Sequence, residues 1–148
     1  MGAFSEDSRV KFPTLIHLIG MGYNYISQKG LSTKYVHVPK VESDTLTNIL
    51  LKPFSEAYLR LNPLSTQEDA DAMLHRIQKS LNNDDLGRQF YKEILLDTTN
   101  KIIDLSSSTN FIRNNTFQVA TEMTCGDLSS DNFRPDITIF INGLPLAF

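Results

Sequence analysis

Apolar positions along this chain change their spacing near residues 98–101, from a helical period to short runs that suit strands, and that change sets the expected architecture. Four helical segments are predicted upstream. Pro13 suits the first turn of a helix in which Leu15, Ile16, Leu18 and Ile19 form an apolar side and residues 20–22 end it, so this helix is expected to be short and mostly buried. A second helix is expected after Asp44, whose carboxylate can cap free amides, with Leu46, Ile49, Leu50, Phe54, Ala57, Tyr58 and Leu61 at helical spacing. Pro53 is expected to kink or split it. The clearest pattern is the third: Ser65-Thr66-Gln67-Glu68 reads as a capping box, and Ala70, Met73, Leu74, Ile77 and Leu81 recur at intervals of three and four. Asp84 or Asp85 then caps a fourth helix through Phe90, Tyr91, Ile94 and Leu95.

Beyond the change in period come three predicted strands, residues 102–105, 117–123 and 137–141, separated by polar loops. The last is a charge-free β-branched and aromatic run. Asn142-Gly143 follows it as a hairpin turn signal, and residues 144–148 begin another apolar strand. A domain seldom ends in mid-strand on apolar residues, so the expectation is a protein that continues past Phe148. Residues 1–148 then form the N-terminal part of a single domain, mostly helical over 1–97 and strand-bearing over 98–148.

Composition narrows the class. With 148 residues, 41% of them hydrophobic, and no low-complexity tract, the chain fits one soluble domain. No apolar run approaches the roughly 20 residues of a membrane helix. The first residues form neither a signal peptide nor a myristoylation motif, which would need Ser or Thr where Glu6 stands. The lone Cys125 fits a reducing compartment and reads as a half-buried thiol at a strand end, so a cytoplasmic protein without membrane partners is expected. Charge counts against a free-standing DNA-binding domain. Residues 1–82 hold nine Lys or Arg against eight Asp or Glu, while residues 83–148 hold five against nine. Phosphate neutralisation normally demands the opposite balance.

Several chemistries are absent from the pattern. His17, His37 and His75 are scattered without ligand spacing, and no phosphate-binding loop, dinucleotide fingerprint or nucleophile elbow is present. The one residue that stands out is Asp136, beside Pro135 at the opening of the charge-free strand. Taken alone, it suits either a strand terminator or a reactive carboxylate.

The combination Arg134-Pro135-Asp136 opening a strand, followed by Phe140-Ile141-Asn142-Gly143-Leu144-Pro145-Leu146, resembles the N-terminal nuclease region of the R subunit (HsdR) of type I restriction enzymes, a PD-(D/E)xK nuclease. The opening segment, with Glu6-Asp7-Ser8-Arg9 leading into Leu15-Ile16-His17-Leu18 and Gly22-Tyr23-Asn24-Tyr25, is similar to that of many R subunits. Asn115-Thr116-Phe117-Gln118-Val119-Ala120-Thr121-Glu122 resembles the strand before their catalytic hairpin. The resemblance implies an α/β fold of the restriction-endonuclease type, a mixed sheet flanked by helices and incomplete at the C-terminus. It also implies that Asp136 is a catalytic residue and Mg²⁺ ligand, and that a Glu-x-Lys follows shortly after Phe148. Glu6 is the second candidate metal ligand, because such nucleases often carry a carboxylate on an early helix; a helix-dipole role suits it equally. Glu122, on the strand expected beside Asp136, reads more readily as an ion-paired or solvated residue, and Arg134 as a brace for the strand mouth.

By the same resemblance the intact protein is an ATP-driven translocase and Mg²⁺-dependent endonuclease acting on double-stranded DNA with methyltransferase and specificity subunits. Its ATP-using motor lies outside these residues. The rival readings are a non-catalytic docking module, favoured by the acidic charge, and a stand-alone nuclease without a motor. Strand parity gives a sharper expectation. A strict two-residue turn would pair Ile141 with Leu144 and turn the expected Glu away from Asp136. A three-residue loop with Gly143 at positive φ is therefore expected, pairing Phe140 with Leu144.

Overall fold

The structure, a computed structural model, describes residues 10–26, 48–121, 123 and 135–147. Its centre is a mixed sheet of four strands, β1 (Asn24–Ile26), β2 (Phe117–Thr121), β3 (Ile137–Ile141) and β4 (Leu144–Ala147), lying side by side in chain order. β1 runs parallel to β2, and the other neighbours are antiparallel. Around it stand α1 (Phe12–Gly20), α2 (Leu51–Leu61), α3 (Gln67–Leu81), a π-helical segment (Phe90–Leu95) and α4 (Ser108–Asn114). The α/β class expected from the sequence is the class observed.

β3 forms where its β-branched run predicts. The third helix also forms, with its cap one residue later than the Ser65 box implies: Thr66 is the N-cap, and its hydroxyl and backbone amide are bonded reciprocally with Asp69. Those bonds hold the Asp69 carboxyl below the usual carboxylate range, the Thr66 backbone amide contributing most. Ala70, Met73 and Ile77 face the core, whereas Leu81 is exposed.

Other expectations are corrected. α1 carries Pro13 in its first turn but buries Leu15 alone; Ile16 and Ile19 are exposed, so the helix is not mostly buried. α2 starts at Leu51, not after Asp44, and Pro53 sits in its first turn, where a missing amide hydrogen breaks no helical bond and causes no kink. The fourth helical pattern winds as a π-helical segment after Asp85, whose carboxylate accepts from the amides of Gly87, Arg88 and Gln89. Residues 102–105 form no strand, and the unforeseen α4 follows, capped by Ser107. β1 was equally unforeseen as a strand. Asp44 and Leu46 lie outside the described residues.

Two buried clusters meet at the hairpin. Phe54 and Tyr58 of α2, Met73 and Ile77 of α3, and Ile94 of the π-helical segment pack with Ile102, Ile103 and Leu144. Ile26, Leu50, Ala120, Met123 and Phe140 form the second, on the sheet face that alternation assigns to Ala120, Thr138 and Phe140. Arg60 ties the end of α2 to α4 by donating to the Asn114 carbonyl.

The irregular segment at 102–106 is organised by Asp104, which is 6% exposed. Its carboxylate accepts from the hydroxyl and amide of Ser106 and from Asn114 Nδ2. The Ser106 hydroxyl, then Asn114, lower its pKa from 3.8 to about 2. A depressed folded-state pKa adds stability that is complete above the unfolded value and lost as pH falls through the folded one. Unfolding midpoints measured by circular dichroism are therefore expected to drop on acidification from 3.8 toward about 2. Asp104→Asn should shallow that decline; an unchanged acid profile in the variant would show that the carboxylate is not the titrating group.

Candidate functional site at the mouth of the hairpin

Asp136 immediately precedes β3 and is exposed, while its neighbour Pro135 is buried. The proline anchors the chain as it enters the sheet, and the carboxylate stands free at the rim. Strand alternation places Asp136 on the same face as Thr138 and Phe140, both wholly buried. Glu6, Glu122, Arg134, Cys125, His37 and Phe148 lie outside the described residues, so the structure brings no second predicted site residue to Asp136. Of the other histidines, His17 sits in the last turn of α1 and His75 contacts Gln78 on its own helix, neither in a ligand arrangement.

What lies across from Asp136 is governed by the hairpin register. The loop is a two-residue turn, with Ile141 paired to Leu144, in place of the expected three-residue loop. Asn142 and Gly143 both have positive φ, +51° and +77°, as a type I′ turn requires, so the expected sign at Gly143 holds although the loop length does not. The physical reason is the side chain of Asn142, which is fully buried and held in place by its own bonds. Its Nδ2 donates to the Ile102 carbonyl and to Asn115 Oδ1, and its Oδ1 accepts from the Thr116 amide. The ladder is nonetheless irregular. Phe140 pairs with Pro145 but Ile139 pairs with Ala147, leaving Leu146 as the extra residue of a bulge. Pro145, which has no amide hydrogen, is tolerated because β4 is an edge of the described sheet.

The turn also joins the hairpin to the helices. Leu50 N, just before α2, donates to the Gly143 carbonyl, and Gly143 N donates to the Gln118 side chain. Sequence reading found the turn and missed this polar frame, although buried Asn115, Gln118 and Asn142 cluster around it. The one buried side-chain polar atom without a partner among the described residues is Thr138 Oγ1.

Chemically, Asp136 offers one hard oxygen donor suited to a divalent cation such as Mg²⁺. It fits as a single ligand. The described residues contain no group of three His, Cys, Asp or Glu able to hold a metal. No helix among them is long and apolar enough to cross a membrane. Comparison with curated proteins gives no match, and neither does comparison with solved structures. The family model for the type I restriction enzyme R protein N terminus (HSDR_N) matches residues 3–148, which spans the strand-mouth Asp136, the hairpin and every described helix, and the chain therefore belongs to that family.

Proposed function

We propose that this chain is the N-terminal part of a nuclease domain of the PD-(D/E)xK type, and that the intact R subunit makes endonucleolytic cuts in double-stranded DNA with Mg²⁺. In this reading cutting is coupled to ATP-driven translocation by a motor outside these residues, in a cytoplasmic complex with methyltransferase and specificity subunits. Asp136 binds the cation, and Glu6 is the candidate second carboxylate from this chain. The cation, when bound, polarises the scissile phosphate and lowers the pKa of the attacking water.

The observation that carries the reading is the bulge at Leu146. Beyond it Ile139 pairs with Ala147, and a ladder continued in that register would bring Asp136 opposite the second residue after Phe148. That is the position where the resemblance expects Glu. A plain ladder from the two-residue turn would have aimed that residue at the opposite face. With the bulge, such a continued ladder would keep the parity that a metal-binding pair of carboxylates needs, by a different route from the one expected of the loop. A docking module gains nothing from that parity, although the acidic balance of residues 83–148 suits one.

The test uses the intact subunit assembled with its partners. Asp136→Ala is expected to lower DNA cleavage at least roughly a hundredfold while leaving DNA-dependent ATP hydrolysis intact. Removal of divalent cations should stop cleavage in the same way. The 148-residue chain alone is expected to show no Mg²⁺-dependent cutting above background, since Asp136 without the expected Glu-x-Lys gives neither metal occupancy nor water activation. Undiminished cleavage by the Asp136→Ala subunit would overturn the assignment.

A further inference from the structure

Thr138 is the second residue of β3, paired with Ala120, and is fully buried. Its hydroxyl has no hydrogen-bond partner, which sets it apart from every other buried side-chain polar atom among the described residues. Packing does not explain the choice of residue. Valine has nearly the same shape, the same branching at Cβ and an equal liking for strands, and would bury no unpaired oxygen. The surrounding polar groups are carefully satisfied: Gln118, one pair along the same face of β2, uses both ends of its amide, on Thr116 and Gly143. An orphan hydroxyl in a sheet whose other buried polar groups are paired points to a partner that arrives later.

The position says where. Thr138 lies two residues from Asp136 on the same strand face, so the hydroxyl and the exposed carboxylate rise from adjacent places on one surface. The first is buried and unpaired, the second exposed at the rim.

We propose that Thr138 is a positioning residue for Asp136: when the site is assembled, its hydroxyl donates to the Asp136 carboxylate, directly or through one ordered water, and fixes the carboxylate's orientation. This rests on the nuclease reading of Asp136. In the free chain the bond is unmade and the hydroxyl is a liability; in the assembled site it becomes a support, as a hydrogen bond behind a metal-binding carboxylate does elsewhere. The stability of the free chain and the function of the assembled site are thereby set against each other at one atom.

Thr138→Val tests this with two readouts. In the 148-residue chain the midpoint of thermal unfolding is expected to rise by roughly 2–6 °C, because the unpaired oxygen is removed without loss of shape. In the intact subunit with its partners, the Mg²⁺ concentration for half-maximal cleavage should rise about tenfold, the effect of losing one hydrogen bond to a charged ligand. Thr138→Ser, which keeps the hydroxyl, should restore the Mg²⁺ dependence. An unfolding midpoint that falls in Thr138→Val would show that the hydroxyl is already partnered in the free chain, and would overturn the proposal. So would a raised midpoint with unchanged Mg²⁺ dependence, or a Thr138→Ser subunit as impaired as Thr138→Val. Asp136→Ala run in parallel separates the two layers. If that variant still cleaves, the nuclease reading fails and the proposal with it; if it is inactive while Thr138→Val matches the unaltered protein, the proposal fails alone.

Discussion

Replacing Gly143 by alanine is expected to destabilise the chain by about 3–5 kcal/mol, enough to unfold a domain of ordinary stability. A Cβ at this position would stand 2.7 Å from the Leu50 carbonyl oxygen and 2.9 Å from Phe54 N. Both are backbone atoms, at the entry to α2, and cannot swing aside as a flexible side chain would. The turn cannot retreat either, because the Gly143 carbonyl accepts from Leu50 N at 2.9 Å and Gly143 N donates to Gln118 at 2.9 Å. A φ of +77° adds backbone strain for any residue with a side chain. Gly22→Ala is the internal control. Gly22 has a φ of +100° but no atom within 4 Å of an added Cβ, so only the conformational cost of about 1–2 kcal/mol remains. Chemical denaturation of both variants checks the claim; equal losses would mean that the contact between turn and α2 carries no weight.

Asn142→Ala is expected to cost nearly as much, about 3–4 kcal/mol, because one truncation orphans the Thr116 amide and the Ile102 carbonyl and takes one of its two donors from Asn115 Oδ1, which keeps the Asp104 amide. Asn142→Gly separates the network from the turn. It keeps the left-handed conformation free of strain, so a loss that persists in the glycine variant belongs to the side-chain bonds. The Asn115→Ala change should be less than additive with Asn142→Ala, since the two side chains share a 2.8 Å bond, and a double-mutant cycle measures that coupling. Additivity would show that the two amides act independently. An ordinary exposed Asn-Gly hairpin would lose well under half as much at either site, which makes these variants a direct measure of how far the turn serves as a core element.

The contrast between those two residues and their sequence appearance explains what was legible. β3 was readable because its β-branched residues favour extended backbone locally, and α3 because period and cap agree within one segment. Residues 46–50 continue the apolar spacing of α2, yet Asn48 has a φ of +58° and Leu50 spends its amide on Gly143. The helix therefore begins only at Leu51. Residues 102–105 look like a strand from composition, but the Ile102 carbonyl and the Asp104 amide are taken by the side chains of Asn142 and Asn115. A backbone whose ladder groups are already bonded to side chains cannot join the sheet. α4 was hidden by a run of Ser, Thr and Asn that reads as loop until Ser107 caps it.

At the candidate site the same division holds. The sequence by itself determined the strand, the turn residues, the carboxylate at the strand mouth and, through resemblance, the family. Tertiary structure alone decided that the turn would be two residues long, because the buried bonds of Asn142 hold it there, and that an extra residue would fall at Leu146. It alone left the Thr138 hydroxyl unpaired within a closed sheet face. Local preference acts on neighbours in the chain and shows in the order of residues. Register and hydrogen-bond satisfaction are settled among groups some 25 to 40 residues apart, as Gln118 and Gly143 or Ile102 and Asn142 are, and exist only once those groups have met.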